Sequence, residues 1–452
     1  MTATSERVEG VGLDATRDQS TIGLGTSAND ASHLSLRGRR LVQTAAAFFL
    51  LVVLSSAPYI ELPRLLVEPL TTNSWTYLYP YWGVALLSCI GSIRVIDRIG
   101  MSPALRRRLV PLLAFAALTL LSPLWAESAF SLPLDTLLVV LTLSAGVWFG
   151  IALDARQWTN SLFASLQALL LVSMLEVHYR PRFGISPYGD WVGVFGNRNT
   201  LAPMAGLAVL ASFGLWITHR NRVVGVVAIA ASALDFYVLH KTGNTTTWLS
   251  LFAAFAVLVV VGLAAFVRRP TSGTARGLKL TVLGGAVALG FTAIWVIAAN
   301  ADRASSLKDR RRVWSYLWDV SASHRLTGYG FGSFWRDDTK VAPISTVDFR
   351  WDAAHNSFME IYIGMGLIGL ALIVWLLVST VMNLNVDIRR QRSLVSVFPA
   401  MLFAFLLMEN MSESMILYNS LVWALLIAIS FSGLRNDEGR VRISESFDEP
   451  TG

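Results

Sequence analysis

Residues 300–356 hold nine Lys or Arg, together with Trp314, the run Gly328-Tyr329-Gly330 and His355, in a polar stretch set into an otherwise apolar chain. Imidazole is the side chain best suited to moving protons near neutral pH, so His355 is a candidate base for an acceptor hydroxyl. Guanidinium forks match phosphate oxygens in pairs, which makes Arg310 and Arg311 candidates for gripping an anion. Each residue also has a plainer reading. A lone histidine at the mouth of a span is more often a satisfied interfacial side chain, and an arginine there more often contacts lipid headgroups.

Three shorter stretches could join that segment. The first runs from Tyr179-Arg180-Pro181-Arg182 to Asn197-Arg198-Asn199 and offers Arg180, Arg182 and Arg198 as a second anion clamp. The second, from Lys241 to Thr247, is dense in hydroxyls and amides that could bond sugar hydroxyls, or could simply cap the next helix through Asn244 or Thr245. The third, Glu409 to Ser414, places Glu409 and Glu413 on a turn where they can pair with the arginines and orient them; a solvated turn explains them almost as well.

The elements that must position these groups are set by composition. With 54% hydrophobic and 15% charged residues and a mean hydropathy of +0.53, the chain is too apolar for an ordinary soluble domain. A hydrocarbon core of about 30 Å needs about 20 apolar residues of helix. Such runs lie near 41–58, 76–96, 109–126, 133–152, 158–177, 199–217, 223–240, 247–267, 280–299, 357–381, 395–409 and 415–434. The expected fold is therefore an all-α integral membrane protein with about 12 transmembrane helices. Helices 1–9 fall in residues 41–299 and helices 10–12 in 357–434, with a long extracytoplasmic loop, 300–356, between them. Residues 1–40 and 435–452 read as disordered cytoplasmic tails, and the first of these lacks a signal-peptide pattern.

Within the long loop, Ser306 to Asp309 resembles a capping box, and Val313, Trp314, Leu317, Trp318 and Val320 recur at helical spacing. An amphipathic helix of about four turns should lie along the outer leaflet, with Trp314 and Trp318 at the interface and Arg310 on the face of Trp314. The run from Gly328 to Gly332 then ends the helix in a flexible turn.

Lys and Arg resist translocation and so orient the chain. With the N-terminus cytoplasmic, Arg106 to Arg108, Arg156, Arg220 and Arg222, Arg268 and Arg269, and Arg389 and Arg390 all fall inside. The outward exceptions are the Arg180, Arg182, Arg198 group and the 300–356 segment; long loops translocate regardless of charge, which is the bland account of them. The single cysteine, Cys89, lies in a span, excluding an intrachain disulfide and a cysteine metal site. No metal or cofactor is expected. The pI of about 9.7 follows from cytoplasmic arginine and needs no nucleic-acid partner. Asp235 is the one carboxylate expected well inside a span, thin support for ion-coupled transport; Arg94, Asp154 and Glu176 sit near span ends where interfacial water can solvate them.

The runs Trp191 to Asn199, Arg310 with Trp314, Gly328 to Trp335, Ala354-His355-Asn356-Ser357 and Ser412-Glu413 resemble, in order, the signatures of the O-antigen ligase and polymerase superfamily, on the side of its exopolysaccharide-polymerase branch. The likeness runs from about 190 to 430, and the first five spans share only hydrophobicity. It implies a GT-C-like, inverting, metal-independent glycosyltransferase of the cytoplasmic membrane, with its site on the extracytoplasmic side and both termini cytoplasmic. The implied donor is an oligosaccharide on a polyprenyl diphosphate, the acceptor a glycan or glycolipid, and the surroundings membrane lipid. Arg310 and His355 take the catalytic positions, Arg198, Arg180, Arg182 and Arg311 the diphosphate, and Asn197, Asn199, Asn356 and Glu413 support them. Gly196 and Arg198 stand where relatives often carry a His-Lys pair, and Thr245 to Thr247 replace a more usual Ser-Arg. A flippase or transporter of lipid-linked saccharides, and a non-catalytic scaffold, are the alternative classes.

Overall fold

Small residues decide how closely these apolar helices approach. The computed structural model describes residues 41–48, 50–52, 54, 79–127, 132–219, 221–267, 305–345, 351–391, 393–415 and 420–432. Both predicted tails and the 280–299 span fall outside them. Apart from residues 41–43, which open the first helix and are all that is described of the unit Met1–Gln43, the elements below belong to the compact unit Thr44–Gly452.

The helices are α1 (Leu41–Val52), α2 (Tyr79–Ile99), α3 (Pro103–Leu121), α4 (Leu132–Ala152), α5 (Ala155–Tyr179), α6 (Arg198–Thr218), α7 (Arg222–Thr242), α8 (Thr245–Val267), α9 (Ser305–Val320), α10 (Ser357–Gln391), α11 (Leu394–Ser412) and α12 (Leu421–Phe431). Among the described residues, seven helices are long and apolar enough to cross a membrane: those at α3, α5, α6, α7, α8, α10 and α11. The chain is an all-α membrane protein. Its helix starts follow local chemistry, with Ser102, Asp154, Asn197, Asn221, Ser393 and Ser420 each accepting a hydrogen bond from a first-turn amide.

α6 is the central post. A Cβ on Gly206 would stand 2.6 Å from Thr247 of α8 and 2.7 Å from Phe405 of α11, and one on Gly214 would stand 2.5 Å from Phe398. Gly206 faces Phe405 and Gly214 faces the earlier Phe398, so α6 and α11 are antiparallel. The start of α6 therefore lies at the same end of the bundle as the end of α11. On the other flank, Ser173 of α5 accepts from the Val194 amide just ahead of α6, which brings Arg180 to that same end. Arg108 marks the opposite end, donating to the carbonyls of Ser430 and Ser432 at the end of α12.

The polar segment forms a second apolar cluster of its own, built on Val313, Leu317, Tyr329, Phe334, Tyr362 and Ile363. α10 breaks to receive it. Gly366 adopts φ 65° and ψ −165° inside that helix, and the amides freed by the break are taken by segment carbonyls: Leu367 N donates to Arg325 O at 2.8 Å and Ile368 N to Leu326 O at 3.2 Å. Tyr329 N in turn donates to Ile363 O at 2.9 Å.

That packing corrects several expectations. The run Gly328 to Gly332 is no flexible turn: Gly328, Tyr329, Gly330 and Phe331 are buried, and a Cβ on Gly328 would lie 2.5 Å from the Gly364–Met365 backbone. α9 begins at Ser305, so the helix starts ahead of the expected capping position at Ser306. Glu409 belongs to α11 and is wholly buried, because the helix continues to Ser412 past the expected end of the span. Glu176 is buried too, packed beneath the turn Pro181–Gly184, and is not bathed by interfacial water.

Candidate active site at one end of the bundle

The backbone places the site before any side chain does. Asn356 caps α10, its Oδ1 accepting from Phe358 N at 3.0 Å and Met359 N at 3.1 Å. Its own amide donates to Ser414 Oγ at 3.1 Å and its side-chain amide to Met411 O at 3.0 Å, stitching the start of α10 to the end of α11. Ser357 tightens the same seam, donating to Asn410 Oδ1 at 2.6 Å and accepting from Met415 N at 2.9 Å. Between the segment and this seam sits His355 at φ 47°, the one non-glycine residue with positive φ among the described residues. Left-handed backbone costs a histidine of order 1 kcal/mol or more, a strain that recurs at functional positions.

Glu413 follows α11 directly and faces both expected catalytic groups. Its Oε1 accepts from Arg310 Nη2 at 3.0 Å, and its Oε2 lies 2.9 Å from His355 Nδ1. Arg310 completes its hold by donating from Nη1 to the Ser412 carbonyl. A carboxylate only accepts, so the His355 ring donates through Nδ1, and in the neutral ring the bare nitrogen is Nε2. The side chains of Glu413, Arg310 and His355 keep 9%, 15% and 24% of their exposure, so the carboxylate is covered while the imidazole stays reachable.

Two aromatic residues frame the group. Trp314 donates its indole N–H to Ala354 O at 2.7 Å, so the tryptophan expected at a lipid interface points inward instead, onto the residue before His355. Trp351 stands edge-on to His355, ring centroids 5.5 Å apart. Trp318, one turn beyond Trp314, is half exposed and stacks on Tyr362 at 5.1 Å.

The other candidate residues gather at the same end of the bundle in separate pairings. Arg198 pairs with Asp190, a partner the sequence reading missed because nothing in the spacing links them. Arg180 approaches the buried Glu176 at 3.9 Å and lies over the Phe183 ring. Asn197 caps α6, accepting from Asn199 N at 2.8 Å, and Asn199 accepts from Asn244 Nδ2 at 3.0 Å. Asn244 caps α8 through Thr247 N, so of the two uses open to that turn the cap is realised. Arg182 and Arg311 are exposed.

A further ionic knot fastens the segment to the α3–α4 connection. Lys340 bonds both Glu127 and Asp337, and its ammonium lies over the Tyr329 ring. Hydrogen bonds from Lys340 and then Thr339 hold the Asp337 carboxyl well below the usual carboxylate range. Burial pulls Lys340 down, and the bonds to Asp337 and Glu127 more than offset it, leaving the ammonium raised. Among the described residues no group of three or more His, Cys, Asp or Glu is arranged to hold a metal.

Comparison with known proteins agrees with the motif reading. Residues 192–374 match the family described as O-Antigen ligase, a stretch that includes Arg198, Arg310 and His355. The chain is also 25% identical over 248 residues to the exopolysaccharide production protein ExoQ of Rhizobium meliloti (strain 1021), a match covering 50% of this chain and 54% of that protein. The chain thus spans about half the length of the curated relative it matches. The resemblance to the O-antigen ligase and polymerase superfamily, on its exopolysaccharide side, stands on both findings.

Proposed function

We propose that this chain is an inverting glycosyltransferase that ligates or polymerises glycans delivered on a polyprenyl diphosphate at the outer face of the cytoplasmic membrane, for a surface or secreted polysaccharide. The observation that carries the reading is the split carboxylate of Glu413, which sets one guanidinium and one imidazole side by side. The first suits a departing diphosphate; the second suits an acceptor hydroxyl. Arginines 106 to 108, 156, 222, 389 and 390 lie at the other end of the bundle, which by the positive-inside rule favours an outward-facing site.

The chemistry needs little else. The acceptor oxygen attacks the anomeric carbon on the side away from the diphosphate, and its proton passes to His355 Nε2. The anomeric C–O bond breaks with its electron pair going to the phosphate oxygen, where a preplaced guanidinium stabilises the growing charge. Arg198, Arg180 and Arg182, at the same end of the bundle, supply positive field for the lipid-linked anion, and Arg311 extends it on the outer face of α9.

The test is turnover of a lipid-linked oligosaccharide donor by the purified protein carrying H355A or R310Q. Each substitution should cut the rate by about a hundredfold or more. In cells, lipid-linked units should accumulate on the outer face; accumulation on the inner face would instead identify a flippase. A rate within a few-fold of the parent in H355A removes it as the base.

A further inference from the structure

We propose that Glu413 is an exchangeable positioning residue, shared between Arg310 and His355 in the geometry described above and released to His355 alone when the donor diphosphate arrives. The inference rests on the functional reading above and extends it to an order of events.

Three observations carry it. Each Glu413 oxygen has a single site partner, Oε1 with Arg310 at 3.0 Å and Oε2 with His355 at 2.9 Å, so one contact can be surrendered without losing the other. Arg310 has a second anchor in the Ser412 carbonyl, so its guanidinium stays in place when the carboxylate is displaced. The Glu413 backbone is itself fixed, its amide donating to Glu409 O at 2.9 Å and its carbonyl accepting from Ser357 Oγ at 2.9 Å, which leaves only the side chain to move.

In this arrangement Glu413 neutralises the anion clamp. A diphosphate brings more charge than a carboxylate and competes successfully for Arg310. What it displaces then serves only to hold the imidazole with Nδ1–H toward Glu413 and Nε2 toward the acceptor. Donor binding thus completes the base, and the acceptor is activated only with a donor in place.

A glutamine at 413 separates this role from simple scaffolding. Its amide oxygen would satisfy Arg310, and its NH2 would then face His355 Nδ1, which must become an acceptor. That moves the ring proton to Nε2, the wrong tautomer for taking a proton from the acceptor. In the serine-protease triad the equivalent carboxylate-to-amide change costs about ten-thousandfold in kcat with geometry intact.

The experiment titrates the purified full-length protein with inorganic pyrophosphate and measures turnover of a lipid-linked donor in the same preparations. In E413Q, pyrophosphate should bind about tenfold more tightly, because a competing carboxylate is gone. Its kcat should fall by at least about a hundredfold while the donor KM falls or holds. E413D, which keeps the charge but has a shorter reach, should restore part of the kcat and carries the test if E413Q does not fold. Pyrophosphate affinity unchanged or weaker in E413Q, or kcat within about threefold of the parent in either variant, overturns the exchange. If H355A alone retains its rate, the functional reading itself fails; if H355A is inactive while E413Q matches the parent in both readouts, only the inference on Glu413 fails.

Discussion

Trp314 donates its indole N–H to the carbonyl of Ala354 at 2.7 Å, and through that one bond α9 is coupled to the residue preceding His355. α9 also carries Arg310 one turn earlier on the same face, so a single helix sets both the proposed anion-binding group and the peptide that holds the proposed base. A phenylalanine at 314 keeps an aromatic ring, though a smaller one, and removes the donor. W314F should lower turnover about tenfold and cost roughly 1 kcal/mol of stability, the ordinary worth of one hydrogen bond, while leaving pyrophosphate binding by Arg310 nearly intact. Equal losses in binding and turnover would argue that the tryptophan merely supports the fold.

On the proposed reading, arginine at 310 acts through its shape as well as its charge. Its Nη1 and Nη2 reach different acceptors, Ser412 O and Glu413, which a lysine ammonium on a flexible stem cannot reproduce. R310K should therefore lose about a hundredfold in donor kcat/KM, close to R310Q. R311K, at an exposed position on the same helix, should differ little from the parent. A fully active R310K would show that only a positive charge is needed there.

Gly366 is the point where α10 admits the polar segment. A Cβ there would lie 2.2 Å from the Leu326 backbone, and φ is 65°, so neither space nor conformation allows a side chain. G366A should destabilise the protein by about 2 kcal/mol or more and expose the segment around residues 325–331. Hydrogen exchange at the Tyr329, Leu367 and Ile368 amides is the direct readout; protection equal to the parent's would contradict the argument.

The Lys340 knot has a pH signature at each end. Asp337 has its folded-state pKa depressed by Lys340 and Thr339, so the stability it contributes is present above the unfolded value of about 3.9 and is lost as pH falls through the folded one. Lys340 is raised, so its contribution is present below about pH 10.4 and is lost as pH rises through its folded value. Protease resistance of the 321–345 segment should be flat across neutral pH and decline only at the two extremes. In D337N the acid-side decline should shrink, and an unchanged acid limb would remove Asp337 from the knot.

How much of this was legible in advance divides along physical lines. The membrane class, most of the spans and the existence of a helix at α9 depend on apolar content and spacing, which are local and additive along the chain. Asn197, Asn244 and Asn356 were readable as polar residues at helix starts for the same reason, although only Asn244 was read as a cap. Glu409 and Glu176 were misplaced because a carboxylate near a span end has two fates, water or burial, and neighbouring helices choose between them. The glycine run was misjudged similarly: a glycine reads as freedom in isolation, but Gly328 and Gly366 are small so that two backbones can meet.

Residue types and their order along the chain determined by themselves that this is a helical membrane protein resembling the O-antigen ligase superfamily, with His355 and Arg310 as its chemical candidates. They marked Glu413 as a supporting residue, through the Ser412-Glu413 run, without saying which groups it touches. That it divides its oxygens between Arg310 and His355, while Arg198 turns to Asp190, was decided only by the tertiary structure. Those pairings join residues up to 103 positions apart. Sequence spacing encodes neighbours within a helix turn or a strand, whereas a contact between the ends of α9, α10 and α11 depends on how whole helices pack.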